Sequence, residues 1–135
     1  MDLGLKGKTA LVTGASEGIG RAIARKLAEE GVHVAICART ASKLQETAAA
    51  IAHATGMEIV PIPADLRSLA GCGGFVEQAA TRLGGIDILV NNAGASAFGA
   101  FMDLADDAFV DAINGKLLGY IRCARAAVPH MQRRA

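Results

Sequence analysis

The sequence predicts an α/β fold: one doubly wound parallel sheet with helices on both faces and strands in the order 3-2-1-4. Three observations predict it. Short, β-branched apolar runs alternate with longer amphipathic runs along the 135 residues. The short runs are apolar on both faces, as strands sandwiched between two helix layers must be. The turn after the first short run carries three glycines, Gly14, Gly18 and Gly20, which let a backbone turn tightly and approach a neighbour closely.

Residues 8–13 ("KTALVT") form the first predicted strand. Residues 18–30 carry Ile19, Ile23 and Leu27 four apart and run into Gly31, a helix with a glycine stop. Residues 33–38 ("HVAICA") are the second strand, and the Ala-rich residues 42–54 are a helix stopped by Gly56. Residues 57–62 form a third strand limited by Pro61 and Pro63. The spacing predicts a helix over 75–83. The "GCGG" at 71–74 should fray its first turn, since each interior glycine costs roughly 1 kcal/mol against alanine. Residues 86–91 ("IDILVN") are the fourth strand, and a long helix runs from about Asp106 to near the end. There is no internal repeat, low-complexity tract or linker, so residues 1–135 read as a single domain.

Composition narrows the function classes. The chain is 52% hydrophobic and 20% charged, with a net charge of +1, a soluble globular profile. That balance argues against a nucleic-acid or anionic membrane partner. Residues 1–8 lack the apolar core of a signal peptide, and no apolar run approaches a bilayer's thickness. Cys37, Cys72 and Cys123 are odd in number and widely spaced. They offer neither a metal-binding spacing nor a disulfide framework, which makes a reducing, cytoplasmic setting the default.

The glycine turn falls at the carboxyl edge of the predicted sheet, beside the switch point where such folds bind ligands. The helix N-terminus behind it offers unpaired N–H groups and partial positive charge, suited to a pyrophosphate. The plainer alternative is a tight turn whose glycines serve packing alone. No Gly-Lys-Ser/Thr follows, so this is not the phosphate loop of an NTPase.

The spacing is T-G-x-x-x-G-I-G, Thr13 to Gly20. Here the sequence resembles the short-chain dehydrogenase/reductase family, classical type. "NNAG" at Asn91 to Gly94 follows the fourth strand, "ADL" at Ala64 to Leu66 follows the third, and "GYIRCARAAVPHM" at residues 119–131 looks like the family's long helix. The resemblance covers essentially the whole chain. It implies a Rossmann-type sheet, here incomplete and stopping before the fifth strand. It also implies a nicotinamide cofactor, a small carbonyl or alcohol substrate and a homo-oligomer. Gly14, Ser16, Gly18, Ile19 and Gly20 would line the pyrophosphate and ribose. Asp65 and the Leu66 backbone would meet the adenine, and Asn91, Ala93 and Gly94 would contact the adenine-side ribose and brace the central strand. Asp65 is alternatively a helix N-cap, and Asn91 and Asn92 turn formers. The resemblance further places the long helix in a symmetric dimer. Leu117, Ile121, Ala124 and Val128 fall at helical spacing for that use, or for covering the sheet.

Cofactor choice is read at the end of the second strand. An NAD site usually has an acid there for the ribose 2′-hydroxyl. This chain has Ala38 and then Arg39, whose guanidinium suits a 2′-phosphate. That favours NADP over NAD. Glu17, inside the glycine loop, counts against it, because an inward acid repels a phosphate.

The family's chemistry comes from an Asn, a Ser, and a Tyr and Lys four residues apart, which move a proton while the nicotinamide moves the hydride. The 135 residues contain no Tyr-x-x-x-Lys: Tyr120 is the only tyrosine, and Ala124 stands four residues on. The chain is therefore expected to hold the cofactor-binding half and to be inactive alone. Ser96 reads as a loop serine near the cofactor mouth. Counting back from "PHM", the family's helix asparagine falls at Lys116. Asn114, two residues earlier, faces about 200° away, and Asn114-Gly115 could break the helix. Lys116 is otherwise a surface lysine with a buried stem. Two other function classes share the loop: a non-catalytic nucleotide-binding or sensor module, and a protein binding another adenosine-containing cofactor. The pairing of "TGASEGIG" with "NNAG" weighs against the last.

Overall fold

A computed structural model describes residues 1–94 and 97–135. Ser96 therefore lies outside the described residues. Four strands, β1 (Thr9–Thr13), β2 (His33–Ala38), β3 (Ile59–Pro63) and β4 (Ile88–Val90), form one sheet in the order β3-β2-β1-β4. Every pairing is parallel. Thr13 sits opposite Cys37, Ala38 opposite Pro63, and Val12 opposite Val90, so the carboxyl ends of all four strands share one edge.

Helices α1 (Gly18–Glu29) and α2 (Ala41–Thr55) cover one face. Ala24, Ala28, Leu44, Ala48 and Ile51 pack there on Ala10, Val12, Val34 and Ile36. Helices α3 (Leu69–Leu83) and α5 (Gly119–Arg134) cover the other, where Phe75, Val76, Cys123 and Ala127 pack on Leu11, Ala35, Val60 and Ile62. Alternate residues of β1 thus feed opposite cores, which explains why Ala10, Leu11 and Val12 are all apolar and buried.

Three details differ from expectation. First, β3 spans Ile59–Pro63 rather than 57–62 and so takes in both prolines. It is an edge strand, and Ala64 N–H donates to Ala38 O at 3.0 Å. By alternation Val60 and Ile62 also face β2, leaving Pro61 and Pro63 toward the open edge, where a missing donor costs nothing.

Second, α3 starts at Leu69 and takes in the whole "GCGG". Ser68 caps it, its side chain accepting from Gly71 N–H at 3.0 Å. A methyl at Gly71 would collide with the Asp65 carbonyl. The glycine therefore permits a close approach that outweighs its helix penalty.

Third, the long helix runs on to Arg134 as expected but changes its winding. Helix α4 (Asp106–Ala112) and α5 are joined, without leaving helical backbone, by a π-helical turn, Ile113–Leu118, that contains Asn114-Gly115. Among the described residues no helix is long and apolar enough to cross a membrane.

Candidate functional site

The carboxyl edge of the sheet opens into a cavity of about 730 Å³, within the range of small-molecule and cofactor clefts. Its floor is built by hydrogen bonds between the glycine loop, β2 and the segment after β4. Thr13 Oγ1 accepts from Asn92 N–H and Ala93 N–H, both at 2.9 Å. Asn92 Nδ2 donates to the carbonyls of Thr13 and Gly14, each at 3.1 Å. Ala15 N–H donates to Cys37 O at 3.1 Å. Asn92 is thus a brace rather than a turn former, a role that sequence reasoning missed.

Helix α2 holds the loop from outside. The buried Thr47 hydroxyl donates to Ser16 O at 2.6 Å, and Lys43 pairs with Glu17. That pairing lowers the Glu17 carboxyl below its ordinary value, with the Lys43 hydrogen bond the main cause and its charge the second. No side chain caps the first turn of α1, so its N–H donors stay available for an anion.

Gly14 (φ +64°) and Gly18 (φ +60°) adopt left-handed backbone. A methyl at Gly14 would sit 2.7 Å from Ala93 Cα, and one at Gly20 would run into the Gly14 carbonyl and Asn92 Nδ2. Of the predicted site residues, Gly14, Ser16, Glu17, Ile19, Arg39, Asp65, Leu66, Asn91, Ala93 and Gly94 line the cavity. Gly18 and Gly20 are not among its lining residues; they shape the turn from behind. Ile19 is 74% exposed at the rim, an apolar side chain left free beside the opening.

Asp65 does not cap α3; Ser68 takes that place. Its carboxylate instead accepts from Arg67 three times, from N–H at 3.0 Å, Nε at 3.1 Å and Nη2 at 2.9 Å. The Arg67 guanidinium and backbone hold the Asp65 carboxyl down to about 2, with a smaller push from Arg39. Arg67 and Lys43 line the cavity and were not singled out from the sequence.

On the far wall stand Asp111, Gly115, Lys116 and Tyr120. The π-turn presents Lys116 to the cavity, while Asn114 is not among the lining residues. The Lys116 stem lies against Gly94, where a methyl would meet Lys116 Cβ and Cγ at 3.2 Å. Asn91 Nδ2 donates to Tyr120 O at 3.3 Å, tying β4 to α5. Cys37 also lines the cavity, but burial pushes its thiol up to about 12, so it is no nucleophile at neutral pH.

The predicted interface stripe does not cover the sheet. Leu117, Ile121 and Val128 are 57%, 45% and 44% exposed, whereas Gly119, Cys123 and Ala127 turn inward.

A family model described as short chain dehydrogenase matches residues 8–135. The ketoacyl reductase HetN of Nostoc sp. is 38% identical over 130 residues, 96% of this chain and 45% of its own length. L-sorbose reductase from Gluconobacter frateurii, solved with NADPH and L-sorbose, superposes with a TM-score of 0.94 at 36% identity, covering 99% of this chain and 51% of that one. A short chain dehydrogenase from Burkholderia cenocepacia, solved in complex with NADP, superposes with a TM-score of 0.89 at 40% identity, covering 94% of this chain and 52% of that one. The chain spans about half the length of these relatives. With its 3-2-1-4 parallel sheet and its glycine turn set against "NNAG", the chain belongs to the short-chain dehydrogenase family.

Proposed function

We propose that this chain is the cofactor-binding half of an oxidoreductase that moves a hydride between NADP(H) and a small carbonyl or alcohol. The observation that carries the reading is Arg39. It stands in the cavity wall at the end of β2, with no carboxylate of its own among the described residues. Asp65, the nearby acid, is engaged by Arg67. A ribose 2′-phosphate therefore meets a guanidinium there, and a bare 2′-hydroxyl finds no free acceptor acid. Two similar proteins solved with NADPH or NADP support the choice.

In this reading Gly14, Ser16, Gly18, Ile19 and Gly20 bring the first turn of α1 against the pyrophosphate. Asp65 and Leu66 border the adenine, and Asn91, Ala93 and Gly94 border the adenine-side ribose. The bound nicotinamide supplies the hydride chemistry. Lys116 adds a cation to the wall where the family resemblance implies a neutral asparagine. The chain contains no Tyr-x-x-x-Lys, so on its own it binds cofactor without turnover. Relatives named as ketoacyl reductase and sorbose reductase point to carbonyl reduction as the working direction. Three free, buried cysteines suit a reducing cytoplasm.

The test is Arg39→Asp, read as the ratio of dissociation constants for NADP and NAD. Loss of a charge-assisted phosphate contact, worth about 1.5–3 kcal/mol, should shift the ratio toward NAD by roughly ten- to a hundredfold. An unchanged ratio would make Arg39 a surface residue. We also place a homo-oligomer contact on the exposed Leu117, Ile121 and Val128. Ile121→Glu should lower the mass measured by light scattering, and the same mass as the parent would remove that contact.

A further inference from the structure

We infer that Lys43 is the second cation of the 2′-phosphate site and that Glu17 is a built-in stand-in for the phosphate, exchanged when the phosphate arrives. The inference rests on the NADP reading above and deepens it.

Glu17 is the one feature of the glycine loop that argues against a phosphate. Its carboxylate is not a free charge facing the cavity, however. It pairs with Lys43, which reaches over from α2, 26 residues along the chain. Both side chains line the same cavity as Arg39 and Thr40. With Glu17 against Arg39 alone, that part of the wall would be neutral. Lys43 restores one net positive charge.

The anchoring of α2 fits such an exchange. Thr47, one helical turn beyond Lys43, is buried and donates to Ser16 O. That bond fixes the backbone of α2 against the loop, so only the flexible lysine stem needs to move. The Lys43 and Glu17 side chains are 49% and 70% exposed, and an ion pair that open to water contributes little. A phosphate monoester carries up to twice the charge of a carboxylate and three acceptor oxygens. Placed beside Arg39, it outcompetes Glu17 for Lys43. The swap needs no loop opening, because both partners already stand at the rim.

The experiment is isothermal titration calorimetry with adenosine 2′,5′-bisphosphate and with 5′-AMP, on the parent, Lys43→Met, Glu17→Gln and the double variant. Lys43→Met should weaken the bisphosphate about tenfold and leave 5′-AMP within about twofold, which also serves as the control for folding. Glu17→Gln should tighten the bisphosphate about threefold, and that gain should vanish in the double variant. If Lys43→Met keeps the parent's preference for the bisphosphate, the inference fails while the NADP reading stands. A Glu17→Gln variant no tighter than the parent refutes the stand-in role. A parent that binds both ligands equally overturns the NADP reading and the inference with it.

Discussion

Residues 14–20 and 71–74 are both glycine-rich, and the two stretches use their glycines differently. Between β1 and α1, Gly14 lets the loop close on Ala93, and Gly20 lets α1 close on the Gly14 carbonyl and Asn92. Two of those three glycines thus draw the strand end, the helix start and the segment after β4 together at the cavity edge. Inside α3, Gly71 alone meets a neighbour, the Asp65 carbonyl. Gly73 has nothing within 4 Å, and Gly74 only Gln78 Nε2 at 3.9 Å. A count of glycines does not separate a site from a helix start. What a methyl group would meet at each position does.

The sharpest way to break this comparison is to add that methyl. Gly20→Ala and Gly71→Ala both force backbone apart in a close-packed region, and each should cost about 3 kcal/mol or more in urea unfolding. A cost below about 1 kcal/mol at either position would show that the close approach relaxes freely. The smaller, opposite effect sharpens it. Gly73→Ala fills open space within a helix and should raise stability by about 0.5–1 kcal/mol, read as a higher urea midpoint at unchanged slope. A loss at Gly73 would mean that the α3 glycines act together, as those of the loop do.

Much of the fold was legible because it rests on local pattern. Residues 33–38 match β2 at both ends, and the order 3-2-1-4 follows from alternation and right-handed crossovers. The start of α3 was not legible, because helix propensity counts the glycines as a cost. The contact with the Asp65 carbonyl that makes Gly71 useful is tertiary. The prolines of β3 read as limits because the strand's edge position, which excuses them, comes from the sheet order. Asn114-Gly115 read as a possible break, but the helix passes through it as a π-turn that presents Lys116, a change of winding the sequence did not reveal.

In the candidate site, the motif residues were legible from "TGASEGIG", "ADL" and "NNAG". Lys43 and Arg67 were not, since each enters through a contact with a residue already singled out, Glu17 and Asp65. The available signal was position: Lys43 lies in the first turn of the helix that follows Arg39.

The central claim is that this cavity selects a 2′-phosphate. The most direct measurement is calorimetric titration of the unmodified chain with NADP and with NAD between pH 8 and pH 5.5. Asp65, held at about 2 by Arg67, keeps its charge over this whole range; its pairing is lost only as pH falls from the ordinary carboxylate value toward 2. The phosphate monoester takes up a proton near pH 6. The account therefore predicts NADP at least about tenfold tighter than NAD at pH 8, a preference that shrinks below about pH 6, and a level affinity for NAD. Equal or tighter binding of NAD at pH 8, or an NADP preference that does not change with pH, would contradict it.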